Sequence, residues 1–362
     1  MNEEISADNP YSRLVALKKL GVVQNFDTIR QFSVAVVGLG GIGSVAAEML
    51  VRCGIGKLVL FDYDTVELAN MNRLFYKPEQ RGKTKVQAAK ETLEAINPDV
   101  VVHGYHFDIT LVRSYDHFVQ VLKTGSLDDS SAVHLVLSCV DNYNARSTIN
   151  MVCNELRLTW FESGVSEDAL SGHIQFMIPG VFACYSCVPP LLVASGVDES
   201  TLKREGVCAA SLPTTMGIIA GLLVQNSLKY LLGFGQVSNY IGYNAWTDYF
   251  STMTVKPNDS CPDSNCLHWQ KVYQMEQLKK QSSEECDETV HSNVEAPIVH
   301  EDNEWSIQVV DDGFENGEQS SHVMEDKQKV AEEEQVGESY NDVLSQESLE
   351  TQQLVKQLRS MR

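Results

Sequence analysis

The chain has 362 residues, of which 43% are hydrophobic, and it carries a formal net charge of −21. This length allows one large domain or two ordinary domains, and the acidic excess argues against a nucleic-acid backbone as a partner. No apolar run reaches the roughly 18 residues of a membrane-spanning helix, and MNEEISADNP at the start lacks the basic and apolar regions of a signal peptide.

Strand-like and helix-like segments alternate through the first part of the chain. Strands are predicted at 33–38, 57–62, 100–105 and 134–140, and helices at 10–20, 41–52, 83–96, 111–123 and 142–156. From residue 171 onward the pattern is strand-rich and irregular, and 211–233 predicts one long apolar helix. Such alternation indicates an α/β fold with a Rossmann-like, doubly wound and mostly parallel sheet.

The negative charge is concentrated at the C-terminal end. The last 82 residues hold 21 of the 49 acidic residues but only 5 of the 28 basic ones. Periodic apolar positions are also scarce there, which predicts a disordered acidic linker over 281–340. We therefore predict a folded domain over 1–280, the linker, and a short amphipathic helix over 341–362.

The turn after the first strand, GLGGIG at 38–43, has the G-x-G-x-x-G pattern between a strand and a helix. Glycines let the backbone approach phosphates at a helix N-terminus, where N–H groups favour anions. Asp62 ends the next strand, where a carboxylate can bind ribose hydroxyls. A tight turn without a ligand is the alternative, but the three features together predict a nucleotide site.

Three further residues favour a nucleoside triphosphate over NAD. Arg73 lies just beyond the second strand and Lys85 opens the next helix, and two cations near a phosphate loop suit a polyphosphate. Asp141 ends the fourth strand, on the side of the sheet where a carboxylate can hold Mg²⁺. Each residue alone could instead form a surface ion pair or a helix cap, and a cap is the strongest alternative for Asp141.

Two cysteine pairs with metal-ligand spacing lie far apart in the chain. They are Cys184 and Cys187 in CYSC, and Cys261 and Cys266 in CPDSNC. Four thiolates from two loops suit a tetrahedral Zn²⁺ site, which leaves no open coordination position and is therefore structural. Unrelated cysteines or a redox pair are the alternatives.

Cys208 is the unassigned cysteine in the most polar setting. It follows Lys203 and Arg204, and nearby cations can stabilise a thiolate. Local sequence leaves open whether Cys208 is an inert thiol or a nucleophile. The other cysteines are predicted to be packing or linker residues: Cys53, Cys139, Cys153 and Cys286. The odd total of nine favours a reducing compartment, so we expect a cytoplasmic location, with the nucleus and the endoplasmic reticulum surface as alternatives.

Several stretches together resemble one family. VVGLGGIGSVAAEMLVRCGIGKLVLFDYDTVELANMNRLF, TKVQAA, LSCVDNYNAR and FESGVSEDALSGH, with the two cysteine pairs, resemble the adenylating domain of ubiquitin-like modifier activating enzymes, in the ThiF/MoeB-like family. NPYSRLVALKKLGVV and REGVCAASLPTTMG bring the chain closest to those that activate ubiquitin-fold modifier one. The resemblance covers about 1–270 and implies that 1–280 is an adenylation domain.

The resemblance implies roles for individual residues. Asp141 would bind Mg²⁺. Arg13 would reach the ATP phosphates bound by a partner subunit, so the active unit would be a homodimer. Cys208 would receive the modifier from its acyl-adenylate as a thioester and pass it to a cysteine of the conjugating enzyme. The ATP contacts fall on Gly41, Asp62, Asn70, Arg73, Lys85, Asp108 and Asn142.

Two apolar segments interrupt the acidic tail. The alternation in HEDNEWSIQVVDD (300–312) suits a strand added to a partner's sheet edge, and chance hydrophobicity is the alternative. The resemblance marks this segment as the one that binds the modifier, and similar segments bind autophagy-related ubiquitin-like proteins. Near the end, apolar residues share one helix face, which the resemblance assigns to the conjugating enzyme. The residues are Trp305, Ile307, Val309 and Val310 in the first segment, and Leu354, Val355 and Leu358 in the second.

Other functions remain as alternatives. A sulfur-carrier adenylyltransferase shares the nucleotide and zinc motifs but would stop at the acyl-adenylate. An NAD-dependent oxidoreductase would need a hydride-transfer set of His, Arg and Asp, which we do not find. A scaffold without activity would be indicated by loss of Arg73, Lys85 or Asp141, and all three are present.

Overall fold

The computed structural model describes residues 9–189 and 211–288, with side chains described as far as 279. Its strands are β1 Ser33–Val37, β2 Lys57–Phe61, β3 Val101–Tyr105, β4 Leu135–Ser138, β5 Trp160–Val165, β6 Ser171–Met177, β7 Tyr240–Asn244 and β8 Tyr249–Met253. Its α-helices are α1 Ser12–Lys19, α2 Gly43–Arg52, α3 Lys85–Ile96, α4 Val112–Lys123, α5 Tyr143–Glu155, α6 Pro213–Leu232 and α7 Ser264–Glu288. Short 3₁₀ helices span Phe26–Gln31, Leu68–Asn72 and Pro78–Gln80.

The eight strands form one sheet in the order β3-β2-β1-β4-β5-β6-β7-β8. The pairs from β3 to β5 are parallel, and the three pairs from β5 to β8 are antiparallel. After β1 the chain continues to β2 on one side of the sheet, whereas after β4 it continues to β5 in the opposite direction. The carboxyl ends of β1 and β4 therefore flank a switch point, where open α/β sheets bind ligands. The predicted α/β class with a mostly parallel sheet is confirmed.

Helices cover both faces of the parallel strands. In β1, Val34 and Val36 pack with α2, α3 and α6, whereas Ala35 and Val37 pack on the other face with α4 and α5. Strands buried on both faces carry continuous apolar runs, which explains why SVAVV lacks the alternation of a half-exposed strand. Each large side chain buried this way stabilises the fold by about 1.5–3 kcal/mol.

Helix boundaries follow local sequence signals. Thr84 caps α3 by accepting a hydrogen bond from Gln87 N at 3.1 Å. Gly54 and Gly233 adopt φ of 78° and 63° just after α2 and α6, a left-handed conformation that glycine adopts without steric cost. None of the described helices is long and apolar enough to cross a membrane.

Strand β5 and helix α7 are among the elements that were not identified from the sequence. Strand β5 contains the buried Glu162, which interrupts its apolar pattern. Helix α7 lacks a wide apolar stripe and continues to Glu288, beyond the predicted domain end at 280. The predicted tail segments at 300–312 and 341–362, and Cys208, lie outside the described residues.

Candidate nucleotide-binding site

The glycine turn between β1 and α2 is packed too closely for side chains. Gly38 has a φ of 87°, and a Cβ there would lie 2.6 Å from the Cys139 carbonyl oxygen. A Cβ on Gly43 would lie 1.9 Å from the Gly38 carbonyl oxygen, and one on Gly41 would lie 2.0 Å from Met216 Sδ. The turn is therefore held between the end of β4 and the first turn of α6, and these three positions have no room for a side chain.

Asp62 fixes the shape of this turn from the end of β2. Its Oδ2 accepts a hydrogen bond from Leu39 N at 2.6 Å, and its Oδ1 accepts one from Asp64 N at 2.8 Å. The Tyr76 hydroxyl donates to the Leu39 carbonyl oxygen at 2.7 Å. Burial raises the pKa of Asp62, and the charge of Lys85 opposes this rise. Each carboxylate oxygen keeps acceptor capacity for a ribose hydroxyl.

Two cations lie at the same place. Lys85 is buried, with Nζ 2.6 Å from Asp64 Oδ2. Arg73 lies over the turn, since a Cβ on Gly40 would be 3.6 Å from its Nη1. Arg73 Nε is buried without a hydrogen-bond partner among the described residues. A buried guanidinium donor without a partner beside a glycine turn fits an anionic ligand such as a phosphate.

Four carboxylates converge on this cleft. Besides burial, the charges of Asp64, Asp141, Asp108 and Asp62 raise the pKa of Tyr63. These residues follow β2, β3 and β4, so their common action on one phenol means that the ends of three parallel strands meet. Carboxylate oxygens are the ligands that Mg²⁺ prefers, and the donor set fits a magnesium–phosphate complex.

The cap of α5 is Asn142 rather than Asp141. Asn142 Oδ1 accepts a hydrogen bond from Ala145 N at 2.9 Å. Asp141 is exposed, and the one hydrogen bond that its side chain accepts from a described residue comes from Asn142 Nδ2 at 3.3 Å. The alternative in which Asp141 serves as the helix cap is therefore not what the structure shows, and its carboxylate faces the cleft side of the sheet. An ATP contact of Asn142 stays a prediction.

The remaining predicted contacts are less closely joined to the turn. Asp108 closes a local turn by accepting hydrogen bonds from Thr110 N at 2.9 Å and Thr110 Oγ1 at 2.7 Å. Arg13 is exposed on α1, and no ion pair or hydrogen bond between described residues joins it to the turn. Sequence analysis missed Asp64 and Met216. Asp64 follows Asp62 in an Asp-Tyr-Asp run that could have indicated it, whereas no local signal marks Met216.

The N-terminal end of α6 lies beside the same cleft. Ser211, just before this helix, has a carbonyl oxygen that accepts a hydrogen bond from Asn72 Nδ2 at 3.1 Å, and Asn72 directly precedes Arg73.

The four paired cysteines form one cluster. Their sulfur atoms all lie within 4.8 Å of one another, and all four residues are buried. The separations are 3.7 Å between the Sγ atoms of Cys184 and Cys261, and 3.6 Å between those of Cys187 and Cys266. Tetrahedral zinc with Zn–S bonds of about 2.3 Å places its sulfurs about 3.8 Å apart. The donor set therefore fits zinc, and the cluster could hold it.

Asp263 ties this cysteine cluster to α5. Its Oδ1 accepts a hydrogen bond from Cys266 N at 3.0 Å, and its Oδ2 accepts one from Asn154 Nδ2 at 2.8 Å. Asn150 Oδ1 accepts a hydrogen bond at 2.9 Å from Tyr185 N, which lies in the other cysteine loop. Both cysteine loops are thus fastened to the helix that begins beside Asp141.

A cavity of about 490 Å³ lies along β5, β6 and β7. Arg146 and His173 line it, together with Gly164, Gly172 and Gly242. Arg146 Nη2 also donates to the Val140 carbonyl oxygen at 3.0 Å, next to Asp141. The cavity therefore adjoins the nucleotide cleft, and an arginine and a histidine line it.

Comparisons with known proteins identify the family of the chain. Residues 11–263 match the model of the ThiF family. The chain is 58% identical over 310 residues to ubiquitin-like modifier-activating enzyme 5 of Rattus norvegicus, covering 86% of this chain and 76% of that protein. It is 56% identical over 318 residues to the protein of the same name from Arabidopsis thaliana, covering 86% and 74%.

Solved structures share the fold at low sequence identity. The E. coli protein MccB, crystallised with ATP, has a TM-score of 0.59 at 18% identity, covering 71% of this chain and 74% of that one. This likeness supports the fold alone. Because the family model matches residues 11–263, which include the glycine turn, the chain belongs to the ThiF family. Because of its identity to the two relatives above, it belongs within that family to the ubiquitin-like modifier-activating enzyme 5 group.

Proposed function

We propose that this protein activates ubiquitin-fold modifier one by adenylating its C-terminus with ATP and carrying it as a thioester. Its family membership makes it an ATP-dependent activating enzyme of a ubiquitin-like modifier. The observation that carries the proposal is the glycine turn with the Arg73 guanidinium over it and the buried Lys85 acting on Asp62, the carboxylate that holds the turn.

Adenylation joins the modifier to AMP. A carboxylate oxygen of its terminal glycine attacks the α-phosphorus of ATP, and the bond to the bridging oxygen of the β-phosphate breaks. Pyrophosphate leaves with that electron pair. Arg73 and Lys85 offset the charge that develops on the phosphates, and Asp62 binds the ribose. Asp141 would hold Mg²⁺, which would supply further positive charge to the phosphates.

Thioester formation then requires a thiolate. The Cys208 sulfur attacks the acyl carbon, the mixed anhydride breaks, and AMP leaves. The alternatives among the described cysteines outside the cluster are poor nucleophiles, because burial raises the pKa of Cys53 and Cys153 and raises that of Cys139 to about 12. Transfer to a cysteine of the conjugating enzyme exchanges one thioester for another.

The cavity beside the cleft suits the C-terminal tail of the modifier. Three glycines leave room for an extended backbone, and Arg146 and His173 suit a chain that ends in a carboxylate. Zinc in the cysteine cluster would hold the two loops together and has no catalytic position open. We further propose a cytoplasmic homodimer in which Arg13 acts on the partner subunit, with 300–312 binding the modifier and the C-terminal segment binding the conjugating enzyme.

The test separates the two half-reactions. With Mg-ATP and ubiquitin-fold modifier one, the protein should exchange labelled pyrophosphate into ATP and give a thiol-sensitive adduct on a non-reducing gel. Cys208→Ser should retain the exchange but convert the adduct to a thiol-resistant ester or remove it. A thiol-labile adduct in Cys208→Ser would remove Cys208 from its role, and an adduct-free natural protein that still exchanges pyrophosphate would favour the sulfur-carrier adenylyltransferase.

A further inference from the structure

A buried carboxylate paired with an arginine and a histidine lies between the cavity and the nucleotide cleft. Glu162 of β5 is buried, with Oε1 2.7 Å from Arg146 Nε and Oε2 2.5 Å from His173 Nε2. Burial disfavours its charge, but His173 and Arg146 outweigh burial and hold the pKa of Glu162 below its usual value. A charge of this kind in a central strand needs its partners, because an unpaired buried carboxylate is strongly destabilising.

Arg146 connects this carboxylate to the loop that carries Asp141. Its Nε forms an ion pair with Glu162 that is close but not aligned as a hydrogen bond, whereas Nη2 donates to the Val140 carbonyl oxygen at 3.0 Å. A Cβ on Gly164 would lie 3.0 Å from Arg146 Nη2, so a glycine in β5 lets the guanidinium lie close to the strand. The planar fork of arginine can serve both partners at once, which a lysine ammonium cannot reproduce.

The loop after β4 is held at both of its ends. The last ladder bond is Cys139 N to the Val37 carbonyl oxygen at 2.8 Å. Beyond it, Asp141 is exposed, and among the described residues its side chain accepts one hydrogen bond, of 3.3 Å, from Asn142. The backbone at Asp141 is held on one side by Asn142, which caps α5, and on the other by Val140, where Arg146 is attached.

We propose that Glu162 is a positioning residue for magnesium binding: it orients Arg146, which fixes the Val140 carbonyl and thereby the Asp141 carboxylate. The inference rests on the proposed role of Asp141 as the Mg²⁺ ligand. Glu162 touches neither the metal nor the nucleotide. Its loss should weaken binding of the magnesium complex while leaving binding of metal-free ATP intact.

Two substitutions of the same buried cluster separate this role from general stability. Glu162→Gln removes the charge that holds Arg146, whereas His173→Gln leaves the Arg146–Glu162 pair and the bond to Val140 in place. ATP binding by the purified full chain is measured by calorimetry without the modifier, once with excess Mg²⁺ and once with EDTA. Omitting the modifier keeps any effect of the cavity on tail binding out of the measurement.

We expect Glu162→Gln to weaken Mg-ATP binding about fivefold to tenfold, a typical effect of losing one charge-assisted interaction, with metal-free ATP binding within about twofold. His173→Gln should leave both affinities within about twofold, and Asp141→Asn should reproduce the Glu162→Gln pattern. Equal losses in both Glu162→Gln and His173→Gln, or equal weakening of the two forms of ATP by Glu162→Gln, would overturn the proposal.

A second variant covers the case in which Glu162→Gln does not fold. Arg146→Lys keeps a cation beside Glu162 but loses the second nitrogen that reaches Val140, and it should show the same selective loss of Mg-ATP affinity. An unchanged preference for Mg-ATP in Arg146→Lys would refute the inference. Failure of the proposed function is distinguished by the natural protein, which would then bind ATP in neither condition.

Discussion

Lys85 Nζ lies 2.6 Å from Asp64 Oδ2, and this lysine is buried to 6% exposure although it is a charged residue. The pairing compensates the desolvation of the ammonium. It also places the lysine charge close enough to Asp62 to offset part of the rise that burial causes in the pKa of that carboxyl. Lys85 is thus a fixed cation beside the glycine turn, not one of the flexible surface lysines.

Lys85→Gln should therefore remove a preorganised charge from the phosphate site. We expect modifier-dependent pyrophosphate exchange to fall by about 10²–10³-fold, the usual cost of deleting one such group. Lys83→Gln is the matched control, because Lys83 lies two residues away, is only partly buried, and pairs with Glu91 rather than with a residue of the cleft. Similar exchange rates for the two variants would contradict the assignment of Lys85.

Two glycine substitutions, one in the glycine turn and one in α6, should change stability in opposite directions. Gly43→Ala places a methyl group 1.9 Å from the Gly38 carbonyl oxygen, so backbone must shift, and overpacking of this kind costs about 1–3 kcal/mol. In α6, Gly221→Ala meets nothing within 4 Å and should stabilise the helix by up to about 1 kcal/mol. Denaturant unfolding of both variants checks this, and a neutral Gly43→Ala would show that the turn is looser than described.

The cysteine cluster predicts bound metal. Native purification followed by elemental analysis should find about one zinc per chain. Cys266→Ala should lose this metal and lower the midpoint of thermal unfolding, because the two cysteine loops are then no longer joined. Cys153→Ala removes a buried cysteine outside the cluster and should keep its zinc. If the natural protein is purified without metal, and Cys266→Ala unfolds at the same temperature as the natural protein, the cluster is not a zinc site.

The Glu162–His173 pair predicts a pH-dependent stability. Burial alone would lower the pKa of His173, but Glu162 raises it above the ordinary value of 6.5 in the folded protein. A raised folded pKa gives a stabilising contribution that is complete below the unfolded pKa and is lost as the pH rises through the folded one. The free energy of unfolding should therefore decline with rising pH above about 6.5.

His173→Gln should reduce this decline, because glutamine does not titrate. His268→Gln, at an exposed histidine of α7, should leave the profile of the natural protein unchanged. The measurement is urea unfolding at a series of pH values and constant ionic strength. An identical slope in the natural protein and His173→Gln would show that the pair contributes nothing to the pH dependence.

Much of the architecture could be predicted because it depends on local signals. The apolar run SVAVV, the glycines that end α2 and α6, and the Thr84 cap are each read within a few residues of sequence. The family resemblance, carried by short motifs, is confirmed by the match over residues 11–263. Strand β5 was missed because Glu162 breaks its apolar pattern, and its charge is compensated only by residues on α5 and β6.

The sequence by itself determined the alternation of strands and helices, the glycine turn and the types of residue around it. Only the tertiary structure decided which polar groups act together. Leu39 N donates a hydrogen bond to Asp62, and Lys85 forms an ion pair with Asp64. Arg146 contacts both Glu162 and the Val140 carbonyl oxygen. All of these contacts join separate elements. Their physical reason is the parallel sheet, which brings the carboxyl ends of β1, β2 and β4 to one edge regardless of their distance along the chain.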